Sequence, residues 1–539
     1  MPAETPDYII VGAGSAGCVL ANRLSADADS KVMLIEAGGR DTHPLMKLPL
    51  AFMKLMAVPG LNWDYFSEPE PDAGGRRIPL PRGRCIGGTS SINGMIYSRG
   101  HPSDYDEWAE MGAKGWSWAN VLPYFRRSEA NWRGASEHHG DEGPLDVSPI
   151  RTFEPLFSAA MAAAREMGHP VFDDQHGPQS GEGYSPGEAT VKKGRRASAS
   201  TSYLHPVLLR RNLHVVTNVM VVRVDIENGR AVGVTLLRNG KLVKVRAARE
   251  VILSAGAYNS PQLLLLSGIG PSDELRAAGI KPLVDLPGVG RNLQEHPFAG
   301  VTFELNQPVG FERELRFDRL AGNMIRWGLG LSGRDVQLPV IGFGFIRSRA
   351  GLNRPDIKAN VYPTRMDGRV WFPGVRRGAG HAMTIFNVLL RPESKGSVTL
   401  RSANPMDAPL IRLNMFQHPE DLHTLRRAVR HSREFAATSA LAPFIRGELT
   451  PGGALMSDDD LDAHIRNSAI VAHHASCTCA MGVNDTAVVD PELRVRGVEG
   501  LRVVDASVMP RVIGGNTNAP IIMIAEKAAD MIRFGPTMS

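Results

Sequence analysis

Short apolar runs bounded by small residues recur along this chain, and several pass directly into segments of helical composition. "DYIIVG" (7–12) holds a four-residue apolar run from Tyr8 to Val11, and Ala16 through Leu24 has helical composition. "KVMLIEAG" (31–38) repeats the strand signal and ends on an acid. Further on, "NLHVVTNVMVVRV" (212–224) reads as paired strands, and "MTIFNVLLRPESKGSVTLRS" (383–402) as two strands joined by a polar turn. "LPVIGFGFIRS" (338–348) is apolar with aromatics, which suits sheet core or a pocket wall. Near the C-terminus "GLRVVDASVMP" reads as a buried strand ending at Asp505, and "NAPIIMIAEKAADMI" takes a helical period after Pro520. In "DDDLDAHIRNSA" the acids stand ahead of a helix, where the dipole favours them.

Composition narrows the class. With 539 residues, two closely packed domains are expected, and 43% apolar with 22% charged residues is ordinary for a globular protein. A net charge of +5, spread over 61 basic and 56 acidic residues, is no nucleic-acid footprint. The densest basic run, "KKGRR" (192–196), reads as a solvated loop, with a phosphate or acidic-substrate contact as the alternative. Four cysteines, at 18, 85, 477 and 479, are too few for a disulfide framework. No leader pattern and no apolar run long enough to span a membrane stand out, so the expectation is a cytoplasmic enzyme.

The first strand–turn–helix carries chemistry. Gly12, Gly14 and Gly17 match G-x-G-x-x-G, with Glu36 at the end of the next strand. Gly12 permits the tight turn, Gly14 the approach of backbone to a pyrophosphate, and Gly17 the packing of helix on strand. The helix start, with Ser15 and Ala16, offers free N–H groups to phosphates, and Glu36 beside Ala37 can accept from a ribose. Spacing alone leaves FAD and NAD both open.

Three later stretches change that. "PRGRCIGGTSSINGMIYSRGHPSDYDEW" (81–108), "GAYNSPQLLLLSGIGP" (256–271) and "DPELRVRGVEGLRVVDASVMPRVIGGNTNAPIIMIAEKAADMI" (490–532) resemble the glucose–methanol–choline family of FAD-dependent alcohol oxidoreductases. "LPGVGRNLQEHP" (286–297) and "HGDEGPLDV" (139–147) belong to the same pattern and keep its order. The branch it resembles is the choline-dehydrogenase-like and sorbose-dehydrogenase-like one. The resemblance implies a flavin loop contributing Gly88, Thr89, Asn93, Gly94, Met95 and Ile96, with Val221 at the adenine and Asp505, Ala506, Asn518 and Ala519 as further cofactor contacts. Some members bond FAD through a histidine in the slot before the asparagine; here that slot holds Ile92, so FAD is expected to bind non-covalently.

Alcohol oxidation needs a base for the hydroxyl proton and a donor for the oxygen left behind. The resemblance places the base at His474, in "VAHHASCTCAMG" (471–482), and its partner 44 residues on, at Asn518. His473 is expected at the pocket wall and Asn516 tying down its loop. A metal reading fails on spacing, since His-His-x-x-Cys-x-Cys has no second cluster to complete it; the cysteines read as packing.

The implied architecture is an α/β Rossmann-type FAD domain assembled from residues 1–158, 207–305 and 468–539. An α+β substrate domain, 159–206 and 306–467, lays an antiparallel sheet over the flavin. The expected reaction is oxidation of a primary or secondary alcohol, with oxygen or another carrier as electron acceptor. The competing reading is a non-oxidative or photochemical enzyme on the same scaffold, like the hydroxynitrile lyases or fatty-acid photodecarboxylases.

Overall fold

The computed structural model describes residues 5–178, 181–331 and 337–535; residues 1–4, part of the stretch read for a leader, lie outside it. The continuous apolar runs form a parallel sheet. Leu213–Val216, Val32–Ile35, Tyr8–Val11, Glu250–Leu253 and Leu501–Val503 lie side by side in that order. Ile9, Ile10, Leu34 and Ile252 are fully buried, as strands covered on both faces must be. Burial of each such side chain contributes about 1.5–3 kcal/mol. The helices Ser15–Leu24 and Asn518–Phe534 pack against each other, so the first and last helices begin close together.

A second, seven-stranded antiparallel sheet stands apart from the first. Its order is Ile445–Thr450, Pro297–Leu305, Ala382–Leu389, Ile357–Tyr362, Gly342–Ile346 and Gly183–Ser185, with Ile470–Val471 added to Pro297 and Phe298. One face, with Val301, Ile357, Ala359 and Ile385, shares a core with Leu425, Val429 and Phe435 of the helix Pro419–Ala437. The other face carries Phe343, Phe345 and Val388, which form a smaller cluster with Met95 of the expected flavin loop. The second sheet thus reaches the flavin-loop segment through Met95.

Several expectations change here. The division that puts 207–305 and 468–539 with the cofactor segments splits this sheet, because Pro297–Leu305 and Ile470–Val471 belong to it. The residues of Pro297–Leu305 alternate buried and half-buried, which marks a strand with a core on one face only. The stretch 212–224 does not pair with itself. Leu213–Val216 joins the parallel sheet, whereas Met220–Glu227 pairs with Arg230–Arg238. Likewise Ala382–Leu389 enters the large sheet, while Ser397–Thr399 pairs with Leu410–Arg412. In each case, long-range pairing overrides the local hairpin reading.

"KKGRR" is not a solvated loop throughout. It forms the hairpin Val191–Lys192 and Arg195–Arg196, and Arg196 is buried. Its guanidinium donates to the carbonyls of Met46 (3.1 Å), Ser90 (3.2 Å) and Asn93 (2.7 Å), and to Asn93 Oδ1 (2.9 Å). Burial lowers its pKa to about 9. A charged residue clamps the small-residue loop from behind.

Candidate active site

The glycine turn and its helix frame a cavity with about 1050 Å³ of empty space, its open mouth included. Gly12, Gly14, Ser15, Ala16, Glu36, Ala37, Gly88, Thr89, Val221, Asp505 and Ala506 all line it, so these expected contacts converge. Gly17 sits behind them. A Cβ there would lie 1.9 Å from Gly12 O, which is why helix and strand can approach only at glycine. Gly12 has φ +100°, and a Cβ on it would meet Ser254 O at 2.5 Å.

The cavity suits a dinucleotide. No side chain caps the helix Ser15–Leu24, and its first turn holds no acid, so its free N–H groups remain available to an anion. The helix beginning at Asn518 also lacks a side-chain cap. A Cβ on Gly14 would meet only Ser254 O, at 3.9 Å, which leaves room for a ligand against the backbone. Glu36 accepts from Ala13 N (2.9 Å) and Gly38 N (2.8 Å), and burial raises its pKa to about 7. Asp505 lines the wall, but its oxygens already accept from Gly256 N (2.8 Å), Ser260 Oγ (2.5 Å) and Ser507 N (2.8 Å). Its visible work is to tie the start of the helix Gly256–Leu266 to the last strand.

Asn93, Gly94, Met95, Ile96, Asn518 and Ala519 lie outside that cavity's lining. The loop 88–96 leads from it toward the second sheet, where Met95 (φ +58°) packs on the Phe343 and Phe345 face and Ile96 lies against the same cluster. A Cβ on Gly94 would approach only Phe52, at 3.8 Å. Ile92 turns away into a cluster with Met46, Leu55 and Cys85.

Beyond the cofactor cavity, His474 is held by backbone geometry. Gln294 and Ser476 exchange both N–H···O bonds (3.2 and 3.1 Å), and Ala472 N donates to His296 O (2.8 Å). This pairing sets Glu295 under the His474 amide, which donates to Glu295 Oε1 at 2.5 Å. Arg82 completes the support, with Nη2 3.4 Å from Glu295 and Nη1 donating to His473 O (2.8 Å). His473 has φ +64° and Cys477 φ +75°, so the chain is strained on both sides of His474. Cys477 and Cys479 are buried thiols. Among the described residues, no group of three or more His, Cys, Asp or Glu could hold a metal ion.

Four side chains then form a line. Lys358 Nζ donates to Asn516 Oδ1 (2.8 Å), Asn516 Nδ2 lies 3.0 Å from His474 Nε2, and His474 Nδ1 lies 2.9 Å from His296 Nδ1. The structure therefore pairs His474 with Asn516 and not with Asn518. Asn518 Oδ1 instead accepts from Ser15 Oγ at 2.7 Å, in the glycine turn. The reason is local. The last helix begins at Asn518, which turns that side chain toward the neighbouring helix, while Asn516 sits on the preceding loop. Asp104 fixes that loop by accepting from Gly514 N (2.7 Å), and is itself held by Arg391 and Arg354.

Electrostatics favour neutral histidines. Burial, then the nearby His296 and Lys358, holds His474 well below the usual histidine range. Burial also lowers His296 and His473 to about 3, and Lys358 to about 7. Sequence reasoning missed His296, Lys358 and Glu295. "LQEHP" carried the signal for two of them, but nothing local marks Lys358.

A dinucleotide cavity lined by Arg82, which also holds the backbone of a buried histidine–asparagine pair, suits an oxidoreductase, and the comparisons identify it as a flavin-dependent one. Residues 6–298 and 392–525 match the N- and C-terminal domain families described as GMC oxidoreductase. The chain is 43% identical to the mitochondrial choline dehydrogenase of Mus musculus, covering 98% of this chain and 90% of that one. It is 42% identical to an oxygen-dependent choline dehydrogenase of Brucella canis, over 98% and 95%. Among solved structures it resembles pyridoxine 4-oxidase from Mesorbium loti (TM-score 0.87, 32% identity, 98% and 99% covered). It also resembles a variant of Aspergillus oryzae formate oxidase (0.90, 27%, 99% of each).

The chain belongs to the GMC oxidoreductase family. It is an enzyme that oxidises an alcohol with FAD as cofactor. No described helix is long and apolar enough to cross a membrane.

Proposed function

We propose that His474 is the base of this alcohol oxidation, that Asn516 holds the hydroxyl oxygen, and that FAD binds without a covalent link. The observation that carries the assignment is the direction of the hydrogen-bond line. The Lys358 ammonium has donors only, so Asn516 presents Oδ1 to it and Nδ2 to His474. His474 Nε2 is then the acceptor, and its ring proton lies on Nδ1, facing His296.

A substrate hydroxyl that approaches both His474 Nε2 and Asn516 Nδ2, replacing their own 3.0 Å hydrogen bond, meets a proton acceptor and a donor for the developing alkoxide. The lowered pKa keeps His474 neutral, and ready to accept, at physiological pH. Bound FAD supplies the acceptor for the hydride that leaves the carbinol carbon. Glu295 and Arg82 hold the ring's backbone in place, so its aim does not depend on the substrate. Gly12, Gly14 and the start of the first helix would hold the pyrophosphate, and Glu36 the ribose.

Ile92, which has no nucleophile and is buried away from the cofactor cavity, supports non-covalent binding. Acid precipitation tests it: FAD is expected in the supernatant, and yellow colour retained by the pellet contradicts it. The four buried thiols suit a reducing compartment such as the cytoplasm.

His474→Ala is the test of the base. Anaerobic reduction of the bound flavin by an alcohol should slow on the order of 100-fold or more. An unchanged rate removes His474 from the reaction.

A further inference from the structure

Two of these relatives are choline dehydrogenases, and choline is a quaternary ammonium alcohol. The sheet face across from His474 points elsewhere. Such a cation is recognised by aromatic faces and an acid, and this wall does carry aromatics. Phe343, Phe345, Lys358, Asn360 and Tyr362 stand on one face of two paired strands, with Phe386 and Val388 in register beside them. The cation seat among them, however, is taken by the protein itself. Lys358 Nζ lies 4.3 Å from the Phe343 ring centroid and 5.3 Å from that of Phe345.

Lys358 is only 2% exposed, and among the described residues no carboxylate pairs with it. Its one hydrogen bond, to Asn516, leaves two of its three donors for another acceptor. Glu295, the carboxylate that reaches His474, is tied to Arg82 and to the His474 amide. One place along the same strand face, Asn360 is 9% exposed and its buried Oδ1 has no partner. Two buried polar groups side by side on one strand face, with donors and an acceptor left unused, mark a binding surface rather than a core.

We propose that the alcohol oxidised here carries a carboxylate, which Lys358 Nζ binds while the hydroxyl contacts both His474 Nε2 and Asn516 Nδ2 in place of their mutual hydrogen bond. Two hydrogen bonds and one amide separate Lys358 Nζ from His474 Nε2, so the two nitrogens lie within about 8 Å. A short hydroxy acid spans that gap. Burial holds the Lys358 pKa down to about 7, and an arriving carboxylate offsets that cost by pairing with the ammonium. A quaternary ammonium would meet a like charge in low dielectric. The substrate class rests on the alcohol-oxidising reading of His474 and Asn516.

The test follows anaerobic bleaching of the holoenzyme flavin by hydroxy acids from glycolate to hydroxyhexanoate, by the diol of matching length, and by choline. The best hydroxy acid should show a kcat/KM at least about 10-fold above its diol, with choline the poorest substrate. Lys358→Met should erase the acid-over-diol ratio. Should that variant fail to fold, butyrate should inhibit diol oxidation by the wild-type enzyme competitively, and butyramide should not. If a diol or choline matches the acids, the carboxylate assignment is overturned while alcohol oxidation stands. If none of the alcohols bleaches the flavin, the alcohol-oxidising reading fails, and the substrate class with it.

Discussion

The two walls of the catalytic cleft are built from different material. The cofactor wall is backbone: glycine turns, uncapped helix starts, and an acid at a strand end. The facing wall is side chains, with two phenylalanines, a buried lysine and an asparagine on one sheet face, and a loop asparagine and two histidines opposite. A backbone wall fits one ligand shape and accepts almost no added atom. A side-chain wall can be re-specified one residue at a time without altering the fold. The difference predicts that mutations on the first wall act on cofactor and folding, and those on the second on rate and substrate choice.

The largest effect should come from Gly17→Ala. Its Cβ would lie 1.9 Å from the Gly12 carbonyl, so helix and strand must separate. The expected cost is at least about 3 kcal/mol, seen as loss of soluble yellow protein. Normal FAD content would show that the close approach is dispensable.

Acid should act next, through buried histidines both beside the catalytic line and elsewhere in the molecule. His296, His473 and His176 have folded pKa values of about 3, and His431 about 4, against roughly 6.5 unfolded. Below that value the unfolded chain binds protons that the folded chain refuses, so stability is whole above pH 6.5 and falls as pH falls toward 3. Each contributes at most about 2 kcal/mol of this loss at pH 5. Glu36, raised to about 7, works in the opposite sense, as do the raised carboxyls of Glu70, Glu295, Glu312 and Asp421 and His139, raised to about 9, so the four histidines set the sign by the size of their shifts. The urea midpoint should be lower at pH 5 than at pH 7; a higher one would mean that these rings are solvated.

Arg196→Met should have the smallest effect of the three. It leaves the carbonyls of Met46, Ser90 and Asn93 without this donor behind the flavin loop. The expected loss is about 1–3 kcal/mol, read as a lower melting temperature and faster FAD release. An unchanged melting temperature and FAD release would return the run to the solvated role that its composition suggests.

The contrast between the walls also explains what could be read from sequence. The glycine turn, its strands and Glu36 are legible because one strand–turn–helix carries the whole signal. Gly88, Thr89, Val221 and Asp505 followed by resemblance, and they converge on the same cavity. The facing wall depends on register. Lys358 matters only because its strand pairs beside Phe345 and directs it at Asn516. Asn516 and Asn518 differ by two positions, and only the point at which the last helix starts decides which one faces His474. Arg196 was lost in a basic run, since nothing local shows that the hairpin turns one of its arginines inward.

The central claim is that His474 and Asn516 are the working pair, and the most direct test compares Asn516→Ala with Asn518→Ala in anaerobic flavin reduction. Asn516→Ala should retain FAD and slow reduction on the order of 100-fold, as expected for loss of a donor to a developing oxyanion. Asn518→Ala, which frees Ser15 in the glycine turn, should weaken FAD retention more than it slows reduction. If Asn518→Ala abolishes reduction while Asn516→Ala reduces flavin at the wild-type rate, the pairing drawn here is wrong.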